Sequence, residues 1–234
     1  MDVRTFAAPS LTLFGVEFLR AAFEYAGMRC MDSARLPSGD GHPVVIFPGL
    51  ATDKTATGPL KQFLDGLGYT AYDWGRGFNT GPRGDPDSWL DELADHVGAL
   101  TGAHRERVSF VGWSLGGIYA RELAKKRPER VRRVVTIGTP LSGALEHTNV
   151  GWVYRLVSGH RPQLDETLLR RLRTAPPVPT TAIYSRTDGV VAWQACIQEG
   201  PGEHVENIEV QGSHCGLGWN AQVLEILADR LRCG

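Results

Sequence analysis

The sequence predicts an α/β domain with a mostly parallel central sheet flanked by helices. Three observations carry this expectation. From Val44 onward, short apolar runs alternate with segments of helical periodicity, the pattern of successive βαβ units. Gly112-Trp113-Ser114-Leu115-Gly116 joins such a run, Val108-Ser109-Phe110-Val111, to the helix-like Gly117–Ala124. Asp188 and His214 each stand just beyond a later apolar run, so the chemistry-bearing residues gather past strand ends. On a parallel sheet, ligands bind at the carboxyl ends of the strands.

Composition narrows the class. The chain has 234 residues, which suits one domain, 1–234, with a full core. It is 42% hydrophobic and 22% charged, with a formal net charge of -1. That balance gives no electrostatic reason to bind nucleic acid, and no zinc-finger or P-loop pattern is present. No run is apolar enough to span a bilayer, and Glu17 and Arg20 interrupt the nearest signal-peptide candidate. These features point to a cytoplasmic protein, or to an exported one whose N-terminus has been trimmed.

Residues 10–29 read as an amphipathic helix with a broad aromatic face: Leu11, Phe14, Phe18, Ala22 and Tyr25, widened by Leu19, Phe23 and Ala26. This face either packs on the domain body or meets a partner or, transiently, a lipid surface. Then follow a strand at Val44–Phe47, a helix from Thr57-Gly58-Pro59 through Leu67, a strand around 69–72, a glycine-rich loop and a helix over 88–100. Beyond the serine turn, the helix ends near Arg127-Pro128. Strands are expected at Val131–Ile137, Pro179–Tyr184 and Val205–Val210, with a closing helix over 220–232. The stretch 141–177 breaks the rhythm with helical pieces rich in aromatic residues. A long excursion beside a site is the expected place of a small helical cap or lid.

A serine between glycines at a strand-to-helix turn is held in a strained backbone that exposes its hydroxyl, at a helix N-terminus that favours negative charge. Such a nucleophile needs a base and an acid that orients the base. His214, in Gly212-Ser213-His214-Cys215-Gly216, follows the last strand and is the expected base. His42, His96 and His104 precede the serine, His204 precedes the last strand, and His147 and His160 lie in the excursion. Asp188, in a turn after Thr180–Tyr184, is the expected acid, and Asp165 is its rival. The amides of Leu50 and Leu115 are the expected oxyanion donors, since Pro48 has no N–H and Gly49 permits close approach. Trp113, Leu141 and Trp152 are assigned to the substrate pocket. The chemistry requires no metal or cofactor.

In Phe47-Pro48-Gly49-Leu50, Gly112–Gly117, Ser185–Val191 and Gly212–Leu217, the chain from Val44 onward resembles α/β-hydrolases of the lipase/carboxylesterase type, in particular compact bacterial esterases and triacylglycerol lipases. Where many of those lipases have His-Gly at the oxyanion loop, this chain has Pro48-Gly49. The resemblance implies the α/β-hydrolase fold, ester hydrolysis through an acyl-enzyme on Ser114, and small-molecule ester or lipid substrates. Acyl transfer or C–C bond hydrolysis on the same triad, and a non-catalytic interaction module, are the rival functions. If the loops bearing Asp188 and His214 converge, Cys196 and Cys215 come close enough for a disulfide, which would favour export; reduced thiols are the alternative. Cys30 and Cys233 have no assigned role.

Overall fold

A computed structural model describes residues 8–141, 166–198 and 204–232. Its strands are β1 Pro43–Phe47, β2 Thr70–Asp73, β3 Val108–Trp113, β4 Val131–Ile137, β5 Thr180–Ser185 and β6 Val205–Val210. They form a six-stranded sheet in the order β2-β1-β3-β4-β5-β6, and every pairing is parallel. The helices are α1 Leu11–Gly15, α2 Glu17–Arg29, α3 Lys54–Leu67, α4 Pro86–Thr101, α5 Leu115–Lys126, α6 Glu166–Arg173 and α7 Ala221–Arg232.

Alternation along the strands builds two cores, because successive side chains leave a strand on opposite faces. Val44 and Ile46 join Val111, Val135 and Ile137 on one face, beneath Leu60 and Leu64 of α3 and Leu224 and Leu227 of α7. Val45 and Phe47 join Phe110 and Val134 on the other, beneath Leu93 of α4 and Tyr119 and Leu123 of α5. The central strands β1 and β3 are buried throughout, as sheets covered on both faces require. The chain runs from β1 outward to β2, then back across to β3, so the direction of winding reverses between β1 and β3. Open parallel sheets bind ligands at such a reversal, beyond the carboxyl ends of the strands, and the Pro48-Gly49 loop and Ser114 both stand there.

Two boundaries differ from the sequence expectation. Helix α3 starts at Lys54 and contains Pro59, because Asp53 caps it by accepting from the Thr55 amide at 2.8 Å. The expected helix over 10–29 is broken at Val16 into α1 and α2, and its docking is inverted. Phe18, Leu19 and Phe23 are 82%, 61% and 71% exposed, whereas Glu17 is 1% exposed. The charged face of α2, not its aromatic face, meets the body of the domain.

Among the described residues, no helix is long and apolar enough to cross a membrane.

Candidate active site

Ser114 occupies the turn between β3 and α5 with φ 53° and ψ −123°, a conformation that costs energy for any residue with a side chain. Its amide donates to the Ile137 carbonyl at 2.8 Å, tying the turn to the end of β4. A side chain at Gly116 would run into the carbonyls of Phe47 and Pro48, so the glycine lets α5 start against the end of β1. The hydroxyl-bearing residue is left half-buried while its neighbours Trp113 and Leu115 are buried.

His214 and Asp188 meet at the same edge of the sheet. His214 opens a 3-10 turn over His214–Trp219, and its Nδ1 lies 2.6 Å from Asp188 Oδ2. The other carboxylate oxygen accepts from the amides of Val190 and Val191 at 2.8 and 2.7 Å. The Asp188 turn therefore orders its own loop with one oxygen and the imidazole with the other, and it fixes Nδ1 as the protonated nitrogen. The imidazole lies over Gly138, at the end of β4. A Cβ there would sit 3.1 Å from Nδ1, and Gly138 has φ +57°, so both space and backbone call for glycine. Gly138 directly follows Ile137, the residue bonded to Ser114, which brings the histidine and the serine turn to one strand end.

Burial by itself would push His214 down. The charge and hydrogen bond of Asp188, joined by the Glu17 charge, outweigh it and leave the imidazole above its ordinary value of 6.5.

The loop after β1 closes the third side. A Cβ on Gly49 would stand 3.4 Å from Ser114 Cβ, so this loop passes directly beside the serine. Leu50 is half-buried against the core face that includes Leu115. The Leu115 amide lies in the first turn of α5, where no intrahelical carbonyl is available to it.

Asn79, in the glycine-rich loop and fully buried, pins this segment. Its Nδ2 donates to the Pro48 carbonyl at 2.9 Å, and Oδ1 accepts from Tyr119 and the Gly81 amide at 3.2 and 3.0 Å. Backbone bonds join Ala51 to Asn79 and Asn79 to Thr52, both at 2.8 Å, and hold Ala51 at φ 58°. Sequence reading missed Asn79, since a polar residue among loop glycines carries no periodic signal. Arg121 of α5 was missed too. It is 1% exposed and donates to the carbonyls of Leu172 and Thr174, anchoring the return of the excursion.

Several pocket expectations need correction. Trp113 does not line an open pocket: it is 6% exposed, packs edge-on against Trp219, and donates from Nε1 to the His214 carbonyl at 3.1 Å. Strand parity sends it into the core beneath the histidine loop, which it braces. Leu141 is also buried, with its amide on the Ala195 carbonyl at 2.7 Å. Trp152, Asp165, His147 and His160 lie outside the described residues. Cys196 and Cys215 are both free thiols, so the expected disulfide does not form. Their loops do converge, but Cys196 turns into a small cluster with Val190, Val191 and Ala195, whereas Cys215 faces α2. Burial and the Glu17 carboxylate push the Cys215 thiol up to about 12. Cys30 is a free, exposed thiol, and Cys233 lies outside the described residues.

Comparison with known proteins agrees with this architecture. The stretch 30% identical to a pimeloyl-[acyl-carrier protein] methyl ester esterase of Shewanella woodyi is 102 residues long, 43% of this chain and 37% of that protein. A mouse protein, serine hydrolase BPHL, is 33% identical over 107 residues, again 37% of its length. The match thus spans well under half of these curated relatives.

Among solved structures, an alpha/beta superfamily hydrolase from Oenococcus oeni superposes with TM-score 0.61 at 16% identity, covering 82% of this chain and 92% of that one. The Bacillus licheniformis lipase BlEst2 gives TM-score 0.59 at 17% identity, covering 85% and 95%. At these identities the likeness is one of fold. The sequence profile of the alpha/beta hydrolase family matches residues 44–230, from the first strand into the last helix. A six-stranded parallel sheet with a strained serine turn at its winding reversal, matched along most of its length by that profile, makes this chain a member of the alpha/beta hydrolase family.

Proposed function

We propose that the protein is a serine hydrolase that cleaves carboxylic esters, with Ser114, His214 and Asp188 as its triad. The observation that carries the reading is the buried Asp188–His214 pair poised over Gly138, one residue from the strand end that holds the Ser114 turn. Ser114 Oγ attacks the ester carbonyl while His214 Nε2 takes its proton. Asp188 keeps the proton on Nδ1 and stabilises the imidazolium. The carbonyl oxygen becomes an oxyanion held by the amides of Leu50 and Leu115. His214 then protonates the departing alkoxide, and an activated water frees the acid from Ser114.

The esterase names among the relatives support the bond type. The half-buried Leu50, next to the Gly49 that passes beside Ser114, supports an aliphatic acyl group. In the same reading the chain is a single domain; most of the 141–177 excursion expected to form its cap lies outside the described residues.

A fluorophosphonate probe labelling wild type at Ser114, with p-nitrophenyl esters of increasing chain length run below and above their micellar limit, tests this. Covalent labelling with turnover is expected. A folded protein that neither labels nor turns over any ester overturns the reading. Partition of the acyl group to added alcohol in preference to water would recast it as an acyltransferase.

A further inference from the structure

The inverted docking of α2 has a chemical pattern. Glu17, Arg20 and Glu24 recur at spacings of three and four, so they share one helical face. That face is turned to the loops of Asp188 and His214. Glu17 accepts from the Gly189 amide through Oε1 at 2.8 Å and from the Cys215 amide through Oε2 at 2.9 Å. Those are the residues immediately after the acid and after the histidine. Arg20 donates to the carbonyl and Oγ1 of Thr187, immediately before the acid, at 2.5 and 2.8 Å. Glu24 accepts from the amide and hydroxyl of Ser213, immediately before the histidine, at 2.7 and 3.0 Å. Each loop is gripped on both sides of its functional residue, and one carboxylate spans the two.

Close approach is built in. A Cβ on Gly189 would fall 2.6 Å from the Phe14 amide nitrogen, and one on Gly216 would collide with the Glu24 carboxylate. Trp219 Nε1 adds a bond to the Ala21 carbonyl at 2.9 Å. Hydrophobic burial would favour the opposite orientation of this helix, which leaves Phe18 and Phe23 in solvent and takes a carboxylate out of it. Hydrogen bonding to the two loops decides the orientation.

We propose that Glu17, aided by Arg20 and Glu24, is a positioning residue for the His214–Asp188 pair: it sets the separation of the two loops, and its charge favours the imidazolium formed during ester cleavage. This deepens the proposed function and rests on it. The groups acting on the imidazole are Asp188, from the loop after β5, and Glu17 from α2; Arg20 lies 3.8 Å from Glu17, and Glu24 is engaged by Ser213. Glu17 contributes to holding His214 above its ordinary value, and a purely mechanical tie would not need that charge.

The test is a nitrogen-15 histidine NMR titration of the full chain, paired with kcat and KM on a p-nitrophenyl ester. Removing the charge in Glu17→Gln is expected to move the His214 titration to lower pH. It should also lower kcat about tenfold or more, with KM changed by less than about twofold. Glu17→Asp keeps the charge and shortens the reach, so the titration should stay in place while kcat falls. If Glu17→Gln does not fold, Glu17→Asp decides: kcat equal to wild type overturns the proposal. A folded charge-removing variant in which His214 titrates as in wild type overturns the proposal. If wild type turns over no ester, the proposed function falls while the titration still decides the role of Glu17.

Discussion

Each end of the sheet carries a serine, a histidine and an aspartate, and the two sets behave oppositely. At the carboxyl end stand Ser114, His214 and Asp188. At the amino end, Ser109 of β3 lies 2.8 Å from His42 Nε2, and His42 Nδ1 contacts Asp40. The residue types match, but the physics does not. Ser109 is fully buried within β3, whereas Ser114 is half-buried on a strained turn. Arg132 donates to Asp40 at 2.6 Å and lies 3.0 Å from His42 Nδ1, so the amino-end carboxylate is already neutralised. Asp188 is held by two amides through one oxygen and by the imidazole through the other.

Burial, reinforced by Arg132 and Arg133, therefore holds His42 below the ordinary histidine value despite Asp40, while Asp188 lifts His214 above it. Access, backbone strain and the partners of the carboxylate separate the proposed reaction centre from the brace at the amino end.

Breaking each end separately sharpens the contrast. Ser114→Ala is expected to lower ester turnover by about five to six orders of magnitude at unchanged melting temperature. Ser109→Ala should leave turnover per folded molecule unchanged and cost about 1 kcal/mol by denaturant titration. Equal losses in the two variants would show that the contrast is misdrawn.

Asp188→Asn is expected to lower kcat about 10⁴-fold. On the proposed mechanism the neutral imidazole is the base, so kcat/KM should rise with pH through a limb above 6.5, and that limb should drop in the variant. Asn79→Ala removes the pin on the Pro48–Thr52 loop, which the amino end has no counterpart for. It should lower kcat about 10- to 100-fold and destabilise the fold by about 1–3 kcal/mol, read from steady-state kinetics and chemical unfolding.

The smallest effect concerns pH and stability. Folded His42 resists protonation, while the unfolded chain takes up its proton near 6.5. Its contribution is thus present above that value and lost as pH falls below it. His42→Gln should flatten this acid-side decline in unfolding free energy without moving the kinetic limb of His214. A shift of that limb would couple the two ends.

The parts of this design that obey a repeating rule were legible in the sequence. Strand and helix alternation, the serine turn, and the placement of Asp188 and His214 after β5 and β6 follow from periodicity and order along the chain. The parts that depend on direction were not. Periodicity marks a two-faced helix at 10–29 but not which face docks, and here seven hydrogen bonds to loops outweigh apolar burial. Converging loops bring Cys196 and Cys215 near without fixing where each sulfur points. Neighbouring residues of a strand differ in face, so Trp113 next to Ser114 belongs to the core. Asn79 acts through bonds that exist only after the loop has folded.

The grip of α2 also sets an order of assembly. Glu17 reaches across 172 residues to Gly189 and 198 to Cys215, whereas the Ser114 turn closes on Ile137 nearby. Contacts of such long range are the last to reward a folding chain. On a ribosome, the strained Ser114 turn is made before His214 is synthesised, and α2, made earlier than either, is the last to find its seat. The proposed nucleophile is thereby built early and armed late.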